Sequence, residues 1–329
     1  MSWQQKLLQW YQKHRRDLPW RRTQDPYAIW VSEIMLQQTT VETVIPYYER
    51  FLKKFPTVAS LAKAEEEEVL RLWSGLGYYS RARNLRKAAG LLMGFPCDVE
   101  SLIQLPGIGR YTAGAIASIA FDQRAPILDG NVIRVLSRLF RISEDPKSSQ
   151  GQKIFWKKAE EILPQKQVGD FNQALMELGA TVCVPDNPLC LLCPLESSCE
   201  SKNKGDQDLF PKGKKKITYR DQILTAAVIQ KGQKLLVIQR KDRGLLQGMW
   251  EFPMVEGDAQ VLLKNWPVKP IKSLSLVRHS VLDRRLKITP WLCRLTGDLP
   301  EGLKYLWILP QEIENLPSSS MNRKILTRL

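Results

Sequence analysis

Four of the six cysteines in this 329-residue chain fall within seventeen residues, as Cys183, Cys190, Cys193 and Cys199 in a C-x6-C-x2-C-x5-C pattern among Pro185, Pro188 and Pro194. Four thiolates on one short loop can converge on one inorganic centre. With no histidine among them, the candidates are a 4Fe-4S cluster and an all-cysteine zinc site, and the spacing differs from the paired C-x2-C arms of zinc ribbons, which favours iron and sulfur. A disulfide framework fits poorly, because such clustering does not staple a large chain.

Upstream lies Leu105-Pro-Gly-Ile-Gly-Arg-Tyr-Thr112, between two helical stretches. Gly107 and Gly109 permit a tight turn with outward-facing amide N–H groups at the start of the next helix, a geometry that suits a phosphate oxygen. An ordinary helix–helix turn uses the same residues. Further on, Asp129 in Leu128-Asp-Gly-Asn-Val132 stands just ahead of another helix. There a carboxylate can cap the helix, for roughly 1 kcal/mol, or sit by its positive end and face whatever the hairpin binds.

These residues are carried by a half that reads as almost wholly helical. Trp3, Leu7, Trp10 and Tyr11 form a helical stripe, and helices are expected over Tyr27–Gln38, Pro46–Lys54, Glu65–Trp73, Tyr79–Met93, Arg110–Ala120, Val132–Phe140, Gln150–Ile162 and Asp170–Val182. Arg81, Arg83, Arg86 and Lys87 make a basic helix face. Composition shifts at residue 201: residues 201–220 hold seven basic and two acidic side chains and read as a linker. Period-two, β-branched runs follow at Ile223–Gln230, Lys234–Arg240, Leu274–Val281 and Leu286–Leu295, with helices at Ala259–Asn265 and Met321–Arg328. The plan is a helical domain over 1–200, a basic linker over 201–220 and a small α/β domain over 221–329.

At 43% hydrophobic and 25% charged the chain is globular in composition, and no apolar window is long enough for a membrane helix or a secretory leader. A cytoplasmic, nucleoid-associated monomer is expected. The net charge of +15 is uneven, +3 over residues 1–200 and +12 over 201–329. Such a surplus suits a polyanion, nucleic acid or an anionic membrane surface. Cys97 and Cys293 are expected as small buried hydrophobes.

The order of the motifs carries a resemblance. LPGIGRYTAGAI, then LDGNVIRVLSR, then the four-cysteine loop resemble the endonuclease III superfamily of helix-hairpin-helix DNA glycosylases. Within it, SEIMLQQT (Ser32–Thr39), GLGYYSRARNL (Gly75–Leu85) and FNQALMELG (Phe171–Gly179) are similar to MutY-type adenine DNA glycosylases. The resemblance implies a mainly α glycosylase domain with an iron-sulfur loop over 183–199 and a smaller α/β Nudix-like C-terminal domain. It implies a 4Fe-4S cofactor on Cys183, Cys190, Cys193 and Cys199. The partner it implies is double-stranded DNA with A:8-oxoguanine or A:G mispairs, from which adenine is removed in base excision repair.

The same resemblance assigns residues. Glu33 would protonate adenine N7, Asp129 would stabilise or capture the sugar cation, Asn131 would position Asp129, and Tyr111 would line the cation site. Arg16, Trp20 and Gln173 would line the pocket for the flipped base. Gln38 and Tyr78 would wedge into the duplex, and Gly107 and Gly109 would hold its backbone. From the residues alone, Glu33 reads as a solvated helix position. Relatives similar to endonuclease III carry at position 111 a lysine that forms a Schiff base; a phenol cannot, so a monofunctional enzyme is expected. The alternatives are a bifunctional glycosylase/AP lyase, opposed by Tyr111, and a non-catalytic iron-sulfur DNA-binding protein, opposed by Glu33 and Asp129.

The C-terminal part departs from the pattern twice. Lys234–Pro253 resembles the Nudix-like domain, but the following MVEGDAQVLLKNWP lacks the acidic metal-binding helix of Nudix hydrolases, so pyrophosphate hydrolysis is not expected. Where the family commonly carries a Phe-Ser-His tip, this chain has Val281-Leu282-Asp283, and a weaker preference for adenine opposite 8-oxoguanine is expected.

Overall fold

The computed structural model describes residues 1–213, 218–241, 246–281 and 283–329. Part of the expected linker (214–217), part of the Nudix-like stretch (242–245) and the tip residue Leu282 therefore lie outside the described residues. The chain divides into two compact units, Met1–Lys63 with Asn84–Lys215, and Ala64–Arg83 with Lys216–Leu329. No helix of the described residues is long and apolar enough to cross a membrane.

In the first unit the helix Pro26–Leu36 is the best shielded. Asp25 caps it by accepting from the Tyr27 N–H, Pro26 occupies its first turn, and every side chain from Tyr27 to Met35 is buried. A helix covered on all sides has no solvated face, so the one acid in it, Glu33, is buried too. It packs on Arg110–Phe121, whose buried Ala113, Gly114, Ala115, Ala117 and Ser118 allow close approach. Arg110–Phe121 and Gly130–Leu139 both pack on Val168–Thr181, over a core that includes Leu7, Tyr11, Leu136, Phe155 and Phe171.

Two helices differ from expectation for local reasons. Val41–Lys54 begins ahead of Pro46 and carries it inside, forgoing the bond that position 46 would otherwise donate to the Glu42 carbonyl. The helix expected to reach Met93 stops at Ala89, ahead of Gly90, where the chain turns. Cys97, expected to be buried, is exposed, whereas Cys293 is buried in the second unit. Residues 201–210 fold locally: Glu200–Lys204 is a short helix, and Ser201 and Phe210 are buried.

The second unit is built on an eight-stranded mixed sheet among the described residues. Its centre is Arg220–Lys231, parallel to Arg284–Leu295 in a register running from Arg220 opposite Arg284 to Ile229 opposite Cys293. Alternate residues of the central strand enter different cores. Ala226 and Val228 meet Trp250, Phe252, Ile288 and Ile325, while Ala227 and Ile229 meet Leu236, Leu262, Val268 and Cys293. Burial on both faces is why this strand reads as a continuous apolar run.

Four strands had no legible signal: Trp250–Glu251, Met254–Glu256, Val268–Ser273 and Tyr305–Ile308. The first two are too short to alternate. Val268–Ser273 is an edge strand with a register shift at Pro270, a residue that cannot donate to a ladder. Val277–Val281 pairs antiparallel with Arg284–Leu295, with Val281 opposite Arg284. Arg81 and Arg83, read as part of a basic face, are engaged within this unit. Arg81 stacks on Trp73 and Tyr78 and donates to the Leu76 and Gly77 carbonyls, and Arg83 pairs with Glu66 at 3.0 Å.

Candidate active site

A cavity of about 630 Å³ in the first unit is lined by Arg16, Trp20, Glu33, Gln38, Gly109, Tyr111, Asp129, Asn131 and Gln173. The fold thus gathers residues from five separate stretches of sequence around one space. Tyr78, Gly107 and the four cysteines are not among the residues lining it.

Glu33 is buried, at 5% exposure, more deeply than Asp129. Burial pushes its carboxyl up to about 7; the Tyr111 hydrogen bond opposes this and the nearby Asp129 adds to it. Tyr111 Oη lies 2.7 Å from Glu33 Oε2, to which it donates when the acid is ionised, and 3.2 Å from Met176 Sδ. The phenol itself is held well above its ordinary range by burial and the two acids.

Asp129 performs the capping role that its position suggests. Its Oδ1 accepts from the Val132 N–H at 2.7 Å, and its Oδ2 accepts from Asn131 Nδ2 at 3.1 Å. Burial raises its carboxyl, while those two hydrogen bonds act in the other direction. Capping and chemistry are compatible here, because each carboxylate oxygen keeps a lone pair after one hydrogen bond. Asn131 is in turn fixed through its own Oδ1, which accepts from Arg134 Nη2 at 2.7 Å. The same Arg134 nitrogen donates to the Gly179 carbonyl at 2.7 Å, and its Nε donates to the Cys183 carbonyl at 2.7 Å. Glycine at 179 is needed for this close packing: a Cβ there would lie 2.6 Å from Asn131 Cβ.

The pocket residues include a pair that sequence reading missed. Glu177 lies one helical turn beyond Gln173 and is only 1% exposed. It accepts from Arg16 Nε at 2.9 Å and Nη2 at 2.8 Å, and from Arg21 Nη2 at 2.8 Å. Burial alone would raise its carboxyl, but the hydrogen bonds and charges of the two arginines hold it down at about 2. Arg16 therefore reaches the cavity as half of an ion pair. The i, i+4 spacing of Gln173 and Glu177 was the available signal. Trp20 is both wall and core, buried with its ring edge-on to Tyr48 at 5.4 Å.

Gln38 and Tyr78 share a backbone feature. Both are exposed, and both hold φ in the left-handed region, at 59° and 49°. That conformation costs a residue with a Cβ roughly 1–2 kcal/mol, a cost the fold bears at two projecting side chains. In the hairpin, Gly107 has φ 81°, and a Cβ there would lie 2.7 Å from that of Asn84. Gly109 caps Arg110–Phe121 in extended backbone, and a Cβ on it would meet nothing.

The four cysteines line a second, small space of about 30 Å³ together with Arg138 and Lys202. Their donor chemistry is four thiols without histidine, on two short turns, Cys190–Leu192 and Glu196–Ser198, and the segments that flank them. No group of three or more His, Cys, Asp or Glu side chains is gathered closely enough for a single ion among the described residues. Arg138, beside Cys183, is 2% exposed. Four thiols and a buried cation suit a centre that is anionic once the thiols bind it.

Residues 31–161 match the family model described as the HhH-GPD superfamily of base excision DNA repair proteins, and residues 225–328 match a NUDIX domain. The chain is 37% identical to the adenine DNA glycosylase of Rattus norvegicus, over 98% of this chain and 77% of that one. It is 39% identical to that of Buchnera aphidicola subsp. Baizongia pistaciae, over 88% and 85%. Among solved structures, a thermostable thymine-DNA glycosylase superposes with a TM-score of 0.57 at 31% identity, covering 61% of this chain and 95% of that one. A non-covalent endonuclease III–DNA complex gives 0.52 at 24% identity, covering 62% and 98%, a likeness of fold.

Proposed function

This chain belongs to the adenine DNA glycosylase family, and from that premise we propose that it excises adenine mispaired with 8-oxoguanine or guanine from duplex DNA, acting as a monomer and leaving an abasic site. The observation that carries the reading is one cavity that holds a buried, proton-retaining Glu33 and the hydrogen-bonded carboxylate of Asp129.

Cleaving the N-glycosidic bond of deoxyadenosine makes a poor leaving group and an oxocarbenium-like sugar. The first needs a proton and the second a negative partner. Glu33, with a carboxyl near 7, is substantially protonated at neutral pH and delivers its proton to adenine N7. As the C–N bond breaks, Asp129 stabilises the cation or bonds to it. Asn131 holds Oδ2 of Asp129 in place, and Glu33, now ionised, accepts a proton from the water that completes hydrolysis. Tyr111 lines the cation site and offers no amine, so no strand-cleaving Schiff base forms.

Trp20 supplies a flat wall to the flipped base, with Gln173 and Arg16 as hydrogen-bonding groups. Gln38 and Tyr78 wedge into the duplex, their left-handed backbones projecting them outward. Gly109, at the N-cap of Arg110–Phe121, offers its amide to a phosphate, and Gly107 shapes the turn before it. Cys183, Cys190, Cys193 and Cys199 hold a 4Fe-4S cluster, which when bound cross-links the loop beside Gly130–Leu139. The second unit reads the opposite base. With Val281 and Asp283 at its tip in place of Phe and His, the preference for A:8-oxoguanine over A:G is smaller than in a Phe-Ser-His enzyme.

Single-turnover excision from A:8-oxoguanine, A:G, A:C and A:T duplexes tests this reading. Fast release is expected from the first two alone, with Asp129→Asn at least ~10²-fold slower on both. Full activity in Asp129→Asn would overturn the mechanism, and a borohydride-trapped wild-type adduct would restore the lyase alternative.

A further inference from the structure

We propose that Arg138 is the electrostatic counter-ion of the centre held by the four cysteines, a role resting on the reading that those cysteines bind a cluster. The guanidinium is 2% exposed, and every polar contact it makes goes to an uncharged group. Its Nε donates to the Gln207 carbonyl at 3.0 Å and the Phe210 carbonyl at 3.2 Å. One terminal nitrogen donates to the Val184 carbonyl at 2.7 Å and lies 3.5 Å from Cys183 Sγ; the other donates to the Pro185 carbonyl at 2.9 Å. Among the described residues no carboxylate forms an ion pair with it. Two of the acids beside the loop are engaged elsewhere, Asp206 by Arg141 at 2.5 Å and Glu196 by Lys202 at 2.7 Å.

A guanidinium keeps its charge in any protein environment, and burying that charge without an anion is strongly unfavourable. The fold therefore contains a cation whose negative partner is not a side-chain carboxylate. Four thiolates around either a 4Fe-4S core or one zinc ion carry about two net negative charges. Cys183 Sγ already touches the guanidinium, and the Arg138 carbonyl lies 3.5 Å from Cys199 Sγ. Arg138 also fastens the chain at both ends of the loop, at Val184 and Pro185 and again at Gln207 and Phe210. Bracing and charge balance are separable, because lysine keeps the charge but cannot reproduce the planar fan of donors.

The test uses full-length protein with Arg138→Gln and Arg138→Lys. Iron and acid-labile sulfide in the wild type first decide the cluster reading: zinc without iron would remove that reading, and retention of zinc against a chelator would then replace the redox readouts below. With iron present, the readouts are iron per folded chain, the rate of bleaching by ferricyanide and the midpoint potential. Loss of the cation disfavours the reduced cluster, so Arg138→Gln is expected to hold less iron, bleach several-fold faster and titrate at lower potential, with Arg138→Lys close to wild type. Should the glutamine variant not fold, the lysine variant decides alone. A lysine variant that loses iron as fully as glutamine, or a folded glutamine variant with wild-type potential and bleaching, would overturn the proposal.

Discussion

Glu33 and Glu177 line the same cavity, are comparably buried, and are driven in opposite directions. Glu33 retains its proton to about pH 7, whereas Glu177 is ionised down to about pH 2. Desolvation raises both. The difference is that Glu177 sits between the guanidiniums of Arg16 and Arg21, whereas Glu33 has a phenol within hydrogen-bond distance and the acidic Asp129 nearby. One cavity thus presents a proton donor and a fixed anion at the same pH. Burial supplies the proton affinity, and the placement of arginines decides which acid keeps it.

The strongest way to break this comparison is to remove the donor. Glu33→Gln is expected to slow adenine release by ~10²–10⁴-fold in single-turnover assays. The same variant should gain stability. A carboxyl whose folded value lies near 7 rather than 4.5 makes the folded state lose stability as pH rises between those values, by about 3 kcal/mol in all. Urea melts should therefore show Glu33→Gln gaining on wild type from pH 5 to pH 8. Equal gains at both pH values would mean that Glu33 is not held protonated.

Next in size is the other acid. Arg21→Gln leaves buried Glu177 with one guanidinium and should destabilise the protein by ~3 kcal/mol at pH 7. The sign reverses that of Glu33. A depressed carboxyl contributes stability that is present above 4.5 and lost as pH falls towards 2, so the gap between variant and wild type should narrow at pH 3. A gap that stays constant would assign the loss to packing.

The smallest effect sharpens the contrast. Tyr111→Phe removes the hydrogen bond that lowers the Glu33 carboxyl, so the alkaline limb of the excision profile should move to higher pH, with only a few-fold change in rate at pH 7. A limb that moves to lower pH would show that Tyr111 does not stabilise ionised Glu33.

Much of the site was legible from short-range pattern. The cysteine spacing marked four thiols that line one small space, and Asp129 ahead of Gly130-Asn131 marked a cap that the fold forms. Other features were harder to read. Tyr27–Met35 carries apolar residues around its whole circumference, which is the mark of an enclosed helix, yet Glu33 alone resembled a surface position. The pairing of Arg21 with Glu177 spans 156 residues, and no local pattern reports it. Short strands such as Trp250–Glu251 owe their form to neighbours in the sheet rather than to their own alternation.

The sequence by itself determined which groups are available: four thiols on one loop, a glycine-bearing turn ahead of a helix, a phenol rather than an amine at position 111, and the carboxyl side chains. Those depend on residue type and close spacing. The tertiary structure decided which carboxyl keeps its proton to about pH 7, which is ionised far below it, and which arginine is buried without a carboxylate partner among the described residues. Desolvation and charge pairing are set by whatever packs around a group, and around Glu33, Glu177 and Arg138 that packing comes from helices and loops far apart along the chain.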